Sequence, residues 1–173
     1  MKTKLSILLV LSCLLSFSVF AQKKTAKELK AERELQQQKQ IEALIDSRNF
    51  VFDAQKLTPR GGRIITLDYN TYFLNFTPEK VTCDLPFFGR GYNAVYGGEG
   101  GMKFEGAPEN IIVEKKKKSY NLRAIVKGKK DVYNLIFSIF FNGSTTLSIN
   151  SNNLSAITYY GEISALKVDV DKK

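Results

Sequence analysis

The chain has 173 residues, with 26 Lys and Arg against 17 Asp and Glu, a formal net charge of +9, and no histidine or tryptophan. Without imidazole it lacks the commonest general base and metal ligand, and every Ser/His or Cys/His catalytic arrangement. The composition therefore disfavours an enzyme, and we expect neither a cofactor nor a bound metal.

The first 21 residues have the order of a secretory signal peptide. Lys2 and Lys4 precede an apolar run from Leu5 to Phe20, and Ala21 ends a compact triplet of the kind that a signal peptidase reads. Cleavage after Ala21 would leave 173 − 21 = 152 residues, with a charge of 24 − 17 = +7. We therefore predict an exported protein.

Two alternatives to this cleavage stay open. The apolar run could be a retained membrane anchor, although it is short for a bilayer span. Cys13 could instead be lipidated, which would leave only a stub of the apolar region. Cleavage after Ala21 would leave Cys83 as the one remaining cysteine, so no internal disulfide could form.

Residues 22–48 are predicted to form a charged N-terminal helix or spacer. The stretch from Thr25 to Arg48 has no Gly or Pro and many good helix formers. Ile41, Leu44 and Ile45 have the i, i+3, i+4 spacing of a face that packs on a domain. The charged first part is interpreted as a solvated spacer, with pairing to a partner helix as the alternative.

From Phe50 onward the apolar residues alternate with a period of two, which is typical of half-buried strands. Asn142-Gly143, between two such runs, predicts a type I′ hairpin turn. The alternating residues are Phe50, Phe52, Ala54, Ile65, Leu67, Tyr69, Tyr72, Leu74, Phe76, Val81, Cys83, Leu85, Met102, Phe104, Ile111, Val113, Tyr120, Leu122, Ala124, Val126, Tyr133, Leu135, Phe137, Ile139, Phe141, Leu147, Ile149, Ile157, Tyr159 and Ile163.

Residues 49–173 are therefore predicted to form a single, mainly β domain. Eight or nine short strands with tight turns leave no room for crossover helices, so the sheet should be an antiparallel meander. Such a sheet must curl or be covered to bury its apolar face. We expect a small barrel or strongly curled sheet, with a sheet or sandwich crossed by the helix as the alternative.

Several segments of this pattern resemble a known family. They are LPFFGRGY at Leu85–Tyr92, the following GGMKFEG, FNGSTTLSINSNN and the late ITYYGEI. Together they are similar to the DUF4251-type exported bacterial proteins with an LPxFGR signature, over roughly Phe50 to Ile163. The resemblance implies a single domain of unknown function, without a known activity. It also implies a Gram-negative host, hence the periplasm or the outer surface.

The segment from Leu85 to Gly101 concentrates aromatic residues and glycines. Its glycine spacing fits neither a P-loop nor a dinucleotide-binding turn, so a flexible connection is the plain interpretation. Aromatic residues between glycines on a rigid sheet are also a common setting for ligand binding. The hypothesis of a ligand-binding loop names Phe87, Phe88, Arg90, Tyr92 and Tyr96.

Other reactive side chains have simpler interpretations. Cys83 is in phase with buried neighbours, which predicts a core cysteine rather than a nucleophile beside Asp84. Asp84, Glu99 and Glu105 flank the glycine-rich loop and could in principle form an acid/base pair for glycoside cleavage. Acidic residues beside a loop more often only solvate it.

Four consecutive lysines, Lys115, Lys116, Lys117 and Lys118, are predicted to form the tip of a hairpin. They could contact an anionic membrane surface or an acidic polysaccharide, but a solvated tip that protects a strand edge is the simpler interpretation. Nucleic acid is not expected as a partner, since the aromatic interleaving of single-strand binding is missing here.

These observations favour a non-catalytic binding or interaction module of the bacterial envelope. Its partner would be a small amphipathic ligand or an envelope protein. The alternatives are a purely structural envelope protein and, less favoured, a hydrolase that uses carboxylates near the glycine-rich loop.

Overall fold

The computed structural model describes residues 25–88 and 101–166. The chain divides at Arg33–Glu34 into two units, and helix α1 (Ala26–Ser47) begins in the first and ends in the second. The strands are β1 (Phe50–Pro59), β2 (Ile65–Thr66), β3 (Phe73–Phe76), β4 (Val81–Leu85), β5 (Met102–Gly106), β6 (Pro108–Lys115), β7 (Ser119–Lys127), β8 (Val132–Phe140), β9 (Ser144–Ser151) and β10 (Ile157–Ser164).

Helix α1 begins at a capping box. The Thr25 amide donates to Glu28 Oε2 at 2.8 Å, and the Glu28 amide donates to Thr25 Oγ1 at 3.3 Å. This reciprocal pair satisfies backbone donors that have no partner inside the helix. The predicted helix over Thr25–Arg48 is thereby confirmed to within a residue at each end.

Helix α1 ends in a Schellman motif. Arg48 has φ of 54°, its amide donates to Ile45 O at 3.1 Å, and the Asn49 amide donates to Leu44 O at 3.3 Å. Ile41 and Ile45 are buried and Leu44 packs against the same core. The apolar face predicted from the helical spacing is therefore the face that packs on the domain.

All strand pairs are antiparallel, and the sheet runs in the order β5-β4-β3-β1-β10-β9-β8-β7-β6, with β2 added to β1. This is a nearly closed barrel. The predicted mainly β antiparallel fold is confirmed, with ten strands in the described part of the chain instead of eight or nine. Because consecutive strands pair throughout most of the order, short turns suffice for the connections.

The two ends of this order come from one stretch of chain. Strand β5 pairs with β4, strand β6 pairs with β7, and only Ala107 separates them. A Cβ added to Gly106 would overlap the carbonyl oxygen of Lys127, so the bend lies directly against the end of β7. The barrel is thus closed by a bent strand that pairs on one side along its first half and on the other along its second.

The core lies inside the barrel and is dominated by aromatic rings. Phe50 stacks on Phe76 with ring centroids 5.1 Å apart, and Phe137 meets Phe50, Phe52 and Phe76 edge-on at 5.7, 6.3 and 6.1 Å. Edge-to-face pairs are favourable because the ring edge is positive and the ring face negative. Cys83 is a free cysteine, and the described residues contain no disulfide. This packing is therefore the main source of their stability.

A register shift on β1 lets the sheet bend. The shift lies between Ala54 and Lys56, opposite Gly161 and Tyr160 of β10. A Cβ on Gly161 would overlap the Asp53 carbonyl oxygen, so only glycine allows the two backbones to approach this closely.

Two details of the strand prediction are wrong. The alternation through Ile65, Leu67 and Tyr69 gives only the two-residue β2, and Tyr69 is 78% exposed next to Asn70 at φ of 56°. Pairing to β1 ends at Thr66, apart from one further bond from the Leu67 amide to Gln55 O at 2.9 Å, and the chain then turns at Asn70 in a left-handed conformation. Strong alternation therefore did not ensure a long strand.

The hairpin after β8 also differs from the predicted type I′ turn. The Gly143 amide donates to Phe140 O at 2.9 Å and Gly143 has φ of 89°, whereas Asn142 is not among the positive-φ residues of the described chain. A type I′ turn needs positive φ at both central residues. The structure instead has a three-residue loop that ends on a left-handed glycine, and the Ser144 amide donates to Asn142 Oδ1 at 3.1 Å.

Candidate functional site

The five residues predicted to contact a ligand are only partly placed. Phe87 is half-buried and packs against the core, whereas Phe88 is 54% exposed. Arg90, Tyr92 and Tyr96 lie outside the described residues. The ligand-binding loop therefore stays a prediction, with one of its two placed aromatic residues open to solvent.

The segment that begins this loop is anchored to the core. Leu85 and Pro86 are buried, and the Tyr159 hydroxyl donates to Pro86 O at 2.9 Å from inside the barrel. Burial, and to a smaller extent the charge of Cys83, raise the pKa of Tyr159. The Tyr159 hydroxyl therefore keeps the proton that it donates in this bond. Leu85-Pro86 thus helps to close the fold.

The carboxylates Asp84 and Glu105, considered as members of an acid/base pair, form ion pairs with lysines. Asp84 Oδ2 lies 3.4 Å from Lys103 Nζ, and Glu105 lies 2.6 Å from Lys80 Nζ and 3.8 Å from Lys129 Nζ. The hydrogen bond and charge of Lys80, then Lys129, lower the pKa of Glu105. A general acid at neutral pH needs a raised pKa instead. Glu99 lies outside the described residues.

Cys83 behaves as a core residue. It is 3% exposed, and its Sγ lies 3.3 Å from Met102 O. Burial, and then the charge of Asp84, raise the pKa of this thiol well above its ordinary value. Since the thiolate is the reactive form, a buried thiol with a raised pKa is a poor nucleophile.

The lysine run forms the hairpin tip between β6 and β7, as predicted. Lys115 Nζ lies 2.8 Å from Glu42 Oε1 of α1 and 5.3 Å from the Tyr120 ring centroid, and Lys116 pairs with Glu114 at 2.9 Å. Lys117 and Lys118 are exposed. Half of the run therefore has intramolecular partners, which reduces the charge available to a membrane surface.

A cleft opens where the barrel is not sealed by hydrogen bonds. We use the name seam for the gap between the free edge of β5 and the β7–β8 turn (Gly128–Asp131). The cleft at this seam has a volume of about 370 Å³. It is lined by Thr82, Cys83, Lys103, Phe104, Glu105, Lys129, Lys130 and Tyr133.

The floor of the cleft is apolar. The Phe104 and Tyr133 rings stack across the seam with centroids 3.8 Å apart and planes 11° from parallel. Burial, and then the charges of Asp131 and Cys83, raise the pKa of Tyr133, so its ring is neutral at neutral pH. The stack joins β5 to β8 where no ladder does, and the small parts of Phe104 and Tyr133 that stay exposed, 8% and 7%, form the apolar floor of the cleft.

The rim of the cleft is basic. Three lysines, Lys103, Lys129 and Lys130, face one carboxylate, Glu105, which gives 3 − 1 = +2 among the lining residues. Lys129 is 86% exposed and reaches Glu105 only at 3.8 Å. A ligand with a negative charge near the rim and an apolar body would match both surfaces of the cleft.

The turn that carries Lys129 and Lys130 is held by Asp131. Its Oδ1 accepts from the Val132 amide at 2.8 Å, its Oδ2 accepts from the Asn153 amide at 3.1 Å, and its carbonyl accepts from the Gly128 amide at 2.9 Å. Burial alone would raise the pKa of Asp131, but the hydrogen bonds from Ser151 and from backbone amides outweigh it and lower that pKa. The lysine-bearing wall is therefore fixed to the β9–β10 turn.

Comparisons with known proteins decide the family. The family model described as "Domain of unknown function (DUF4251)" matches residues 32–163. The chain belongs to the DUF4251 family. A solved structure, a DUF4251 family protein from Bacteroides eggerthii, is similar with a TM-score of 0.61 and 21% sequence identity, over 75% of this chain and 87% of that chain. A comparison with curated proteins finds no match.

Membership of the DUF4251 family confirms the resemblance noted in the sequence. At 21% identity the Bacteroides protein supports the fold alone. Within residues 25–88 and 101–166, no cluster of three or more His, Cys, Asp or Glu could hold a metal ion. In the same ranges, no helix is both long and apolar enough to cross a membrane.

Sequence reasoning missed the cleft in this DUF4251 domain. Phe104 and Tyr133 were recognised as strand residues, but their proximity to each other and to Lys129-Lys130 was not. They are brought together by closure of the barrel, which depends on the stagger of all the strands. A local signal was present in Gly106-Ala107-Pro108, a glycine and a proline that break one strand into two differently paired halves.

Proposed function

We propose that this DUF4251 protein is an exported, non-catalytic binding module of the bacterial envelope that holds a small amphipathic ligand in the cleft at the seam. One observation carries the proposal: the aromatic stack of Phe104 and Tyr133 forms the floor of a cleft whose rim is basic. Ligand sites commonly combine apolar walls with a few placed polar groups.

The reactive groups beside the cleft support binding rather than catalysis. The Cys83 thiol is buried with a raised pKa, and Glu105 is ion-paired with a lowered pKa. Neither state suits a nucleophile or a general acid at neutral pH. The sequence supplies no histidine to activate either group.

Export is supported by the amino-terminal sequence. Lys2 and Lys4, the apolar run that follows and the compact residues ending at Ala21 form the three parts of a signal peptide. The solved family member comes from a Bacteroides species, which supports a bacterial host for the family. The proposed location is the periplasm or the outer surface.

Localisation is tested by fractionating host cells and sequencing the amino terminus of the protein. We expect the protein in the envelope fraction with Gln22 as its first residue. An uncleaved chain in the cytoplasm would contradict export. A lipid on Cys13 would support export but show that the chain is not cleaved after Ala21.

Binding is tested by native mass spectrometry of protein purified from its own envelope. The expected result is a retained small molecule that leaves on mild activation. A matched sample of Tyr133→Leu, which removes part of the cleft floor, should retain less of it. Apo protein in every preparation, together with no ligand-induced rise in Tm across a library of amphiphiles, would refute the proposal.

A purely structural role is the second candidate, and one contact favours it. The Tyr159–Pro86 hydrogen bond shows that the start of the aromatic glycine-rich segment is used in packing. For a purely structural protein no preparation should retain a small molecule, and Phe88→Ala should leave stability unchanged, since Phe88 is largely exposed. A loss of retained ligand in Phe88→Ala would instead extend the binding site to the predicted loop.

A further inference from the structure

We infer that the ligand of the cleft is a carboxylate amphiphile of about twelve non-hydrogen atoms, whose carboxylate takes the place of Glu105 beside Lys129. This inference rests on the proposed binding function and specifies the chemistry of its ligand. Four features of the cleft support it: the charge of its rim, the contacts of Glu105, its volume and its apolar floor.

The rim carries more positive charge than its own carboxylate can balance. Lys103 lies 3.4 Å from Asp84, and Lys129 lies 3.8 Å from Glu105, which is already bound by Lys80 at 2.6 Å. Within the described part of the chain, Lys130 has no ion-pair partner. An anion that enters the cleft therefore meets at least one unpaired ammonium group and one that is loosely paired.

Glu105 shows which anion fits. Its carboxylate lies between Lys80 and Lys129 at the rim, so the lysines already bind this chemical group from within the chain. The bond to Lys80 is short, whereas the contact to Lys129 is at the limit of an ion pair, on a side chain that is 86% exposed. A ligand carboxylate can therefore replace Glu105 at Lys129 while Glu105 keeps Lys80.

The volume limits the size of the ligand. A water molecule, with its single non-hydrogen atom, takes up roughly 30 Å³ of liquid. If each non-hydrogen atom of a ligand needs about the same space, the cleft of 370 Å³ holds about twelve of them. Decanoate and 4-phenylbutyrate each contain this number. A diacyl lipid is several times larger and would leave most of its hydrocarbon in water.

The floor matches the rest of such a molecule. Phe104 and Tyr133 present stacked rings, and Cys83, which lines the same cleft, is only 3% exposed and has a thiol that stays protonated. Removing an alkyl or aryl body from water against this surface is favourable in proportion to the area buried. Charge at the rim and carbon at the floor therefore fix the orientation of the ligand, with its head outward.

The test compares decanoate with decanol on the purified chain by isothermal titration calorimetry, with amide chemical shifts to locate the site. We expect decanoate to bind about tenfold more tightly than decanol, with the largest shifts at Phe104, Gly106 and Gly128–Tyr133. The preference for decanoate should shrink as salt is raised, because an exposed rim is screened within about 10 Å at 0.1 M.

Three variants distinguish this inference from non-specific hydrophobic binding. Lys129→Gln with Lys130→Gln should weaken decanoate binding about fivefold and leave decanol unchanged, since exposed charges contribute modestly. Glu105→Gln should tighten decanoate binding about threefold, because it removes the internal competitor. Lys117→Gln, an exposed lysine at the hairpin tip, is the matched control and should change neither affinity.

The outcomes distinguish this inference from the proposed function. Equal binding of decanol and decanoate, or unchanged affinity in Glu105→Gln, would overturn the carboxylate and leave the binding cleft in place. Tight binding of decyl phosphate without decanoate would overturn the ligand class. No binding of any of the three probes, together with apo protein in the native mass spectra, would remove both the inference and the binding function.

Discussion

The wall of strands β7 to β10 and the seam at β5 enclose the same core in different ways. In the wall, β7 and β8 pair without interruption from Ser119↔Phe140 to Lys127↔Val132, and β8 and β9 pair over most of their length. At the seam, five-residue β5 has a ladder on one side only, and an aromatic stack and a glycine contact stand on the other.

The difference shows that a small barrel can have an opening where side chains, and not backbone hydrogen bonds, close it. A continuous ladder satisfies every backbone group and leaves no space for a ligand. A seam closed by side chains exposes a strand edge, which must be covered or charged to prevent aggregation. Here Lys103, Lys129 and Lys130 supply the charge, and the same lysines line the cleft.

Breaking the wall should have the largest effect. Phe137 is fully buried on β8 and meets three other rings. We expect Phe137→Ala to lower the free energy of unfolding by about 3–5 kcal/mol, through lost burial and the cavity left behind. Urea titration followed by far-UV circular dichroism measures this change.

Phe140 provides the matched control on the same strand. It faces outward and is 46% exposed, so Phe140→Ala should change the free energy of unfolding by no more than about 0.5 kcal/mol. Similar losses in the two variants would mean that the inside and outside of β8 have been assigned wrongly.

The next largest effect is expected at the bend that closes the barrel. Gly106→Ala places a methyl group against the Lys127 carbonyl and beside Val126, and relieving this overlap should cost about 1–3 kcal/mol. Amide hydrogen exchange should quicken at the paired end of β7 in this variant. The neighbouring Ala107→Ser, at an exposed position, should leave both stability and exchange unchanged.

Much of the fold could be predicted from the sequence because its determinants are local. Alternation placed Phe50, Phe52, Leu74 and Phe76 inside, and the helical spacing identified Ile41 and Ile45 as the buried face of α1. These periods are direct consequences of backbone geometry. Errors arose where the strand was shorter than its alternation indicated, as at β2 (Ile65–Thr66), or where the turn type depended on φ of Asn142.

The cleft could not be predicted in the same way. Phe104 and Tyr133 lie on strands that do not pair, and their rings meet only because the barrel closes. The stagger between β5 and β7 depends on the register of every strand between them, and small errors in each accumulate. Glycine and aromatic content pointed to residues 85–101 instead, and much of that segment lies outside the described residues.

A double-mutant cycle sharpens the comparison at the seam. If the stack of Phe104 on Tyr133 joins β5 to β8, Phe104→Leu and Tyr133→Leu should each lose part of the same interaction. We expect a coupling of about 0.5–1.5 kcal/mol beyond the burial of each ring. Urea titrations of the wild type, both single variants and the double variant give this value. Additive losses would show that the rings are only neighbours.

The smallest effect should appear at the turn that forms the lysine-bearing wall of the cleft, and pH makes it measurable. The pKa of Asp131 is lowered from its ordinary value of 3.8 in the folded chain, so its hydrogen bonds stabilise the fold above that value and are lost as pH falls through the lower, folded pKa. Asp131→Asn should therefore be less stable than the wild type at pH 6, and the difference should narrow as pH falls below 3.8. Thermal unfolding from pH 7 to pH 2.5 tests this, with Asp68→Asn as a control for the loss of one exposed carboxylate. A gap in Tm of the same size at pH 6 and at the lowest pH would assign the effect of Asp131 to its shape rather than its charge.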